Sequence, residues 1–358
     1  MSTIPSPVLP SLYGRSRSEL LEILAPHLDR PFRVEQIHHA LFERGAASWD
    51  EMTTLGKGLR AELAGRFSLE PPEVTARHAS RDGTVKVLYR LEDGAAVEAV
   101  SIPDVDRSTL CISSQAGCAL GCRFCVTGYW GAGRDLEARE IVGQVLSIRG
   151  RMEPRASLNL VFMGMGEPLL NLDSVRAALE TLTEWISWRR ITVSTVGILP
   201  ALEAMASWPR RPNLAISLHA PDDERRSALM PVNRKYPLAE LMDVLRVFPL
   251  EAGRRITFEY ILIRDFNDSE RDADLLVRAV NGLRAKVNLI PLNPDPVLEE
   301  GMEPPDASRV RSFRDRVTER GVVCTVRRRR GDDVSAACGQ LRAFGRDPRG
   351  FRRSNLSL

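Results

Sequence analysis

Three thiols at C-x3-C-x2-C spacing, Cys118, Cys122 and Cys125, lie in the stretch Gly117-Cys-Ala-Leu-Gly-Cys-Arg-Phe-Cys125. The short spacers let one compact loop aim three sulfurs at a common point, and glycine at 117 and 121 permits the backbone angles of such a wrap. A structural zinc site usually takes four ligands from two pairs. Cys122 and Cys125 form one such pair, but the chain has no second C-x2-C or H-x3-H pair, and His27, His38, His39, His78 and His219 lie far away in sequence. Four of the six cysteines fall between Cys111 and Cys125, which argues against a chance gathering of inert thiols. Three thiolates around an iron–sulfur cube leave one iron without a protein ligand, free to bind a small molecule.

The rest of the composition limits the setting. A chain of 358 residues, 43% hydrophobic, holds one large domain and a smaller one. No apolar run approaches a membrane span, and Met1-Ser-Thr-Ile-Pro-Ser-Pro7 lacks the charged-then-apolar pattern of an export signal. Reduced thiols and a cytoplasmic location are therefore expected. Net charge is only +3, yet Val326–Leu358 holds nine arginines against three aspartates, leaving the remainder slightly acidic. A basic end suits a phosphate backbone. Beyond Gly345 a solvated, disordered tail is an equal reading. Arg327 to Arg330 are the better nucleic-acid candidates.

Apolar periodicity predicts short helices over 18–28, 32–42 and 59–67, with Ser48 and Glu51 reading as a capping box at a further helix start. Pro71-Pro72 closes this helical module. Alternation over 84–91 and 96–102 around Glu92-Asp93-Gly94 predicts a β-hairpin, with Glu98 on its second strand, where a solvated edge is the plain expectation. Strands at 160–163, 191–195, 214–218, 256–263, 287–292 and 322–326 then alternate with helices at 137–149, 172–188, 199–207, 238–248, 269–281 and 308–320. This is the pattern of parallel βα units. About six repeats fall short of a closed eight-stranded barrel, so the expected fold is α/β, a partial (β/α)6 barrel. The expected divisions are a helical accessory domain (1–75), a hairpin linker (76–103), the barrel core (104–333) and a C-terminal segment (334–358). Ligands in such folds sit at the carboxyl ends of strands. There the sequence places Gly164-Met-Gly166-Glu167-Pro168, Ser194, Ser217-Leu218-His219 and Asn293. The glycines admit a ligand close to the backbone, and Glu167 can accept from an ammonium. Cys324, amid Val322-Val-Cys-Thr-Val326, reads as a buried small residue in a strand.

C-x3-C-x2-C with Phe124 just before the last thiol resembles the signature of radical S-adenosylmethionine (SAM) enzymes. The wider stretch Cys111–Gly128, and Gly331-Asp-Asp-Val-Ser-Ala-Ala-Cys338-Gly-Gln-Leu341, resemble the RNA adenine methyltransferase family of RlmN and Cfr. The likeness runs from about residue 16 to 343, and Gly128–Asp135 departs from the family's usual pattern. It implies a 4Fe-4S cluster on Cys118, Cys122 and Cys125, and SAM contacts from Gly166, Glu167, Ser194, Ser217, Leu218, His219 and Asn293. One SAM would methylate Cys338, and a second would be cleaved reductively at the open iron. The carbon on the Cys338 sulfur would then add to carbon 2 of adenine. Glu98 or Cys111 would take the carbon 2 proton, and Cys111 would release the RNA through a transient disulfide with Cys338. Implied partners are 23S ribosomal RNA, tRNA and an electron donor such as flavodoxin or ferredoxin, with no membrane and a monomeric chain. The RNA contacts of the helical module are likewise implied. Gly166-Glu167-Pro168 and Gly331-Asp332-Asp333 resemble the carbon 2 enzymes more than the carbon 8 ones. The rival class is a non-catalytic RNA-binding protein with a structural metal, which would need neither Cys111 nor Cys338.

Overall fold

The computed structural model describes residues 9–149 and 157–342. The start of the Pro- and Ser-rich lead, and the arginine-rich end with Arg346, Arg349, Arg352 and Arg353, lie outside the described residues.

The first layer is helical. At α1 (Arg17–Leu24) the Ser16 side chain accepts from the Glu19 N–H while Glu19 accepts from the Ser16 N–H, a reciprocal cap. α2 (Phe32–Phe42) and α3 (Lys57–Ala64) follow, burying Val34, Ile37, Leu41 and Leu63. The expected helix start at Ser48 is only one 3-10 turn, Trp49–Glu51: Ser48 donates to the Glu51 carboxylate instead of capping a backbone N–H. The module rests on α5 (Ala138–Arg149) and on the end of α6 (Leu172–Leu182). Arg149 donates to the Phe42 carbonyl at 3.0 Å and lies 4.5 Å over the Trp185 ring, which meets Phe42 edge-on. Trp185 falls within the span expected to be helical as far as Trp188, but α6 stops at Leu182 and Trp185 sits in the turn that follows.

One sheet carries ten strands in sequence order. β1 (Glu73–Ala79), β2 (Val85–Arg90), β3 (Ala96–Pro103) and β4 (Arg107–Cys111) form an antiparallel meander. β5 (Ser157–Phe162), β6 (Ile191–Thr195), β7 (Asn213–Ser217), β8 (Ile256–Leu262), β9 (Ala285–Pro291) and β10 (Val323–Val326) continue in parallel from β4. Six crossovers link them: α5, α6, α7 (Leu199–Ala206), α9 (Leu238–Val247), α10 (Glu270–Val280) and α11 (Ala307–Glu319). Among the described residues no pair closes β10 onto the other end of the sheet, so the expected partial (β/α)6 barrel is observed.

The hairpin was the visible part of a larger ribbon. β1 is mostly exposed and carries little apolar signal. β3 lies between β2 and β4, and Glu98 is wholly buried, not on a solvated edge. Cys324 is half-buried because β10 is an edge strand. No helix among the described residues is long and apolar enough to cross a membrane.

Arg226, on the further helix α8 (Asp223–Leu229), is fully buried and ties the strand ends together. Its guanidinium donates to the carbonyls of Val196, Ser217 and Leu218 and to the Asn233 side chain. Burial lowers its pKa to about 10, so it stays a cation. Arg226→Met removes donors from buried carbonyls and is expected to cost roughly 3 kcal/mol, read as a lower urea midpoint with unchanged slope.

Candidate active site

The cysteine loop is held by its own backbone and by the stretch Gly128–Asp135. Gly121 takes φ +62°, a left-handed turn between the first two thiols. The Cys118 N–H donates to the Gly131 carbonyl at 2.8 Å, and Gln115 Nε2 donates to Asp135 at 2.7 Å. A Cβ at Gly133 would stand 2.1 Å from the Ala116 carbonyl oxygen. Gly128–Asp135 is thus the backing of the loop, and Arg134, bonded twice to Glu140, pins it to α5. α4 (Val126–Tyr129) starts directly after Cys125.

Cys118, Cys122 and Cys125 line one cavity at the carboxyl ends of the parallel strands. Gly166, Glu167, Ser194, Ser217, His219 and Cys338 line it too. Among the described residues no three His, Cys, Asp or Glu side chains close around a single metal ion. The fit to a cluster therefore rests on the donor set: three soft thiols on one loop, with a walled space beside them. Burial pushes the Cys118 thiol up to about 12 and raises Cys122 and Cys125 as well. Bound iron reverses that, since a coordinated thiol is deprotonated outright.

Each strand end contributes differently. After β5, Gly166 takes φ +94°, and a Cβ there would sit 2.5 Å from the Gln115 Cβ, so the backbone turns where no other residue fits. Gln115 Oε1 accepts from the Glu167 N–H at 2.8 Å. The Glu167 carboxylate accepts from the N–H groups of Leu169 (3.0 Å) and Val196 (2.9 Å), while burial raises its pKa to about 7. After β7, His219 holds φ +59°, uncommon for a non-glycine residue. Its Nδ1 accepts from the Ile261 N–H at 3.1 Å, and Phe124 packs edge-on at 4.5 Å. Burial, aided by Arg226, lowers its pKa to about 3, so the ring is neutral.

Two expected SAM contacts do not line this cavity. Leu218 is fully buried, with its N–H given to the Glu259 carbonyl and its carbonyl to Arg226. Asn293 donates from Nδ2 to the Cys338 carbonyl at 3.0 Å and lines a neighbouring groove.

Cys338 arrives from the far end of the chain. Val126 N–H donates to the Gly339 carbonyl (2.7 Å), Thr127 Oγ1 to the Leu341 carbonyl (2.8 Å) and Gln340 Nε2 to the Pro294 carbonyl (3.0 Å). Glu98 holds the same segment. Its carboxylate accepts from the Arg342 N–H at 2.7 Å and pairs with Lys86 Nζ at 3.2 Å, while Lys86 donates to the Ser335 carbonyl. Burial, partly offset by Lys86, raises the Glu98 pKa. Glu98 and Cys111 line neither this cavity nor the groove. Cys111 and Cys338 interact electrostatically, yet both are free thiols, so the expected disulfide is not formed here.

Two further residues complete the site, Glu259, which the sequence did not single out, and Arg327, which it placed only with the nucleic-acid candidates. Glu259 on β8 is buried, held by Asn288 Nδ2 at 2.8 Å, and its pKa is raised by burial. Arg327, after β10, feels Cys338, Glu259 and Cys111 together. A charged residue inside the apolar run Ile256–Leu262 was the available signal for Glu259.

An open parallel sheet whose strand ends surround three thiols defines the class: the radical SAM fold. The Radical SAM superfamily model matches residues 112–276, and the ribosomal RNA large subunit methyltransferase N-terminal domain model matches residues 11–69. The chain is 44% identical to the dual-specificity RNA methyltransferase RlmN of Anaeromyxobacter dehalogenans (strain 2CP-C), over 98% of this chain and 96% of that one. It is 46% identical to the RlmN of Syntrophobacter fumaroxidans (strain DSM 10017 / MPOB), over 87% and 92%. A crystal structure of a radical SAM methyltransferase from Sphaerobacter thermophilus superposes with a TM-score of 0.88 at 44% identity, covering 93% of this chain and 99% of that one. The chain belongs to the RlmN family of radical SAM methyltransferases, which use a 4Fe-4S cluster and SAM.

Glu167 sets a pH test. Its ordinary carboxyl pKa is raised to about 7, so it is largely protonated below neutrality and gains charge as pH rises. An ammonium ligand binds the ionised form better. SAM affinity is expected to rise about fivefold from pH 6 to pH 7, by calorimetry on cluster-loaded protein, and Glu167→Gln is expected to flatten that dependence.

Proposed function

We propose that this chain methylates carbon 2 of an exposed adenine in 23S ribosomal RNA and in tRNA, with Cys338 as the methyl carrier. The observation that carries this reading is the position of Cys338. It lines both the cavity of the cluster thiols and the groove beside Arg327 to Arg330. A sulfur at that junction can take a methyl group from one side and present it to a base on the other. The name dual-specificity RNA methyltransferase, shared by the relatives, supports both RNA classes.

When bound, the cluster supplies the one-electron reduction of SAM, fed by a donor such as flavodoxin or ferredoxin. The chain's own residues do the rest. Glu167 takes the SAM ammonium, Gly166 lets the backbone approach, and Ser194, Ser217 and neutral His219 line the remaining wall. Leu218 and Asn293 act one step back: Leu218 through its backbone at the strand end, Asn293 by holding the Cys338 carbonyl. Burial raises the Cys338 pKa, and Arg327 opposes the rise by favouring the thiolate, the nucleophile for methyl transfer.

Once the carbon on Cys338 has joined carbon 2, the adduct must lose one electron, which would return to the redox centre that supplied it, and the carbon 2 proton. Glu98 and Cys111 are the two candidate acceptors: Glu98 holds the Arg342 end of the Cys338 segment, and Cys111 interacts with Cys338 itself. The Cys111 thiol is pushed up to about 12 by burial. Cys111 then serves as the resolving thiol: it gives up its proton and attacks the Cys338 sulfur, the bond from that sulfur to the methylene carbon breaks, and its electron pair stays on the carbon, which takes up a proton to become the methyl group as the transient disulfide closes and the RNA leaves. External thiols reopen it. The chain acts in the cytoplasm, where ribosomes and reducing thiols coexist, and as a monomer.

Mass spectrometry of protein incubated with SAM is expected to show one added methyl on Cys338, and its absence would remove the carrier role. Cys111→Ala is expected to accumulate covalently bound RNA. Recovery of that variant free of RNA, though cluster-loaded and methylated on Cys338, would contradict the resolving role.

A further inference from the structure

The groove on the far side of Cys338 holds more than positive charge. It lies between β4 and β5 on one wall and the segment following β10 on the other, where the sheet fails to close. Arg107, Thr109 and Asn159 line the first wall, and Arg327 to Arg330 the second. Thr109 and Asn159 are direct partners in the parallel register of β4 and β5, and Cys111 stands opposite Val161 two residues further on. Side chains two apart share a face of a strand, so the row Arg107, Thr109, Cys111 runs toward the carrier thiol.

Asn159 and Thr109 are half-buried, and among the described residues neither side chain has a hydrogen-bond partner. This polar amide in mid-strand, inside Ser-Leu-Asn-Leu-Val-Phe, faces the groove. Arg107 is paired with Asp104 at 3.2 Å, Arg329 with Asp332 at 3.6 Å and Arg330 with Asp82 at 3.9 Å. Arg328 is exposed, and no carboxylate among the described residues pairs with it. Its charge is available to a ligand.

We propose that this groove is the site of the target nucleotide, with the Asn159 amide reading the adenine edge and Arg328 taking a flanking phosphate. This deepens the proposed function and rests on its RNA substrate. An amide presents one donor and one acceptor side by side, matching an acceptor nitrogen and the exocyclic amine of adenine. A base taken out of its stack is read along such an edge, and an unpaired arginine is a phosphate contact. The base then lies between Asn159 and the Cys338 sulfur, while the cluster cavity remains on the other side of that sulfur.

The test is equilibrium binding to a short RNA hairpin, without SAM, so that it stands apart from any failure of methyl transfer. Two hairpins are compared, one with adenosine at the target position and one with purine riboside, which lacks the amine. The unaltered protein is expected to prefer adenosine by about tenfold. Asn159→Ala is expected to bring that ratio to about one. Asn159→Leu, which keeps the approximate size and carries neither donor nor acceptor, serves as the second variant should alanine disturb folding, and an unshifted melting transition certifies each. Arg328→Gln is expected to weaken both hairpins equally and to lower the slope of log affinity against log salt by about 0.7. Discrimination that survives in a folded Asn159 variant would overturn the base-reading assignment, and an unchanged salt slope in Arg328→Gln would overturn the phosphate contact.

Discussion

The site depends on hydrogen bonds that fasten the end of the chain onto the cysteine loop. Thr127 and Leu341 are 214 residues apart, yet the threonine hydroxyl meets the leucine carbonyl at 2.8 Å, beside the bond from Val126 N–H to the Gly339 carbonyl. Glu98 and Lys86 hold the same segment from the antiparallel ribbon, near its two ends at Arg342 and Ser335. Gly331 and Gly339 both take positive φ, which lets the segment turn tightly on either side of Cys338. The neutral bonds are each worth about 1 kcal/mol net, and those made by the Glu98 carboxylate and the Lys86 ammonium roughly 1.5–3 kcal/mol. Their sum, not any single contact, holds the carrier thiol beside the cluster loop.

The unclosed barrel follows the same logic. A closed ring of strands would fill its interior with side chains. Here six crossovers leave one flank open, and polar residues occupy it: Arg107, Thr109 and Asn159 on one wall, the four arginines on the other. A small cofactor needs only the strand ends. A nucleotide attached to a large RNA needs an approach that its flanking chain can follow, and the open flank is one. Arg327 stands where the two spaces meet, close enough to Glu259, Cys111 and Cys338 to interact with all three. The buried carboxylate keeps that cation from being an uncompensated charge.

Much of this was legible in the sequence because it is local. Thiol spacing, glycines at tight turns, and the alternation of apolar strands with amphipathic helices all work over a few residues. What escaped depends on pairing across the sheet. Glu98 looked like an edge residue because the apolar signal of β1 and β4 is weak, so the ribbon seemed only two strands wide. Ser48 and Glu51 have the right spacing for a cap, but the chain turns away after one 3-10 turn. Asn293 carries the polar side chain expected at a strand end, yet it reaches the Cys338 backbone instead of the cavity. Glu259 and Asn159 are single polar residues in apolar strands, and only the register shows which space each faces.

The central claim is that a methyl group passes through the Cys338 sulfur on its way to RNA. The direct measurement is an isotope chase. Cys338 is first methylated with SAM carrying a carbon-13 methyl, the labelled SAM is removed, and RNA, reductant and unlabelled SAM are added for a single turnover. The account predicts carbon-13 in the first equivalent of methylated adenine. A product carrying only the unlabelled methyl, with the label still on Cys338, would contradict it.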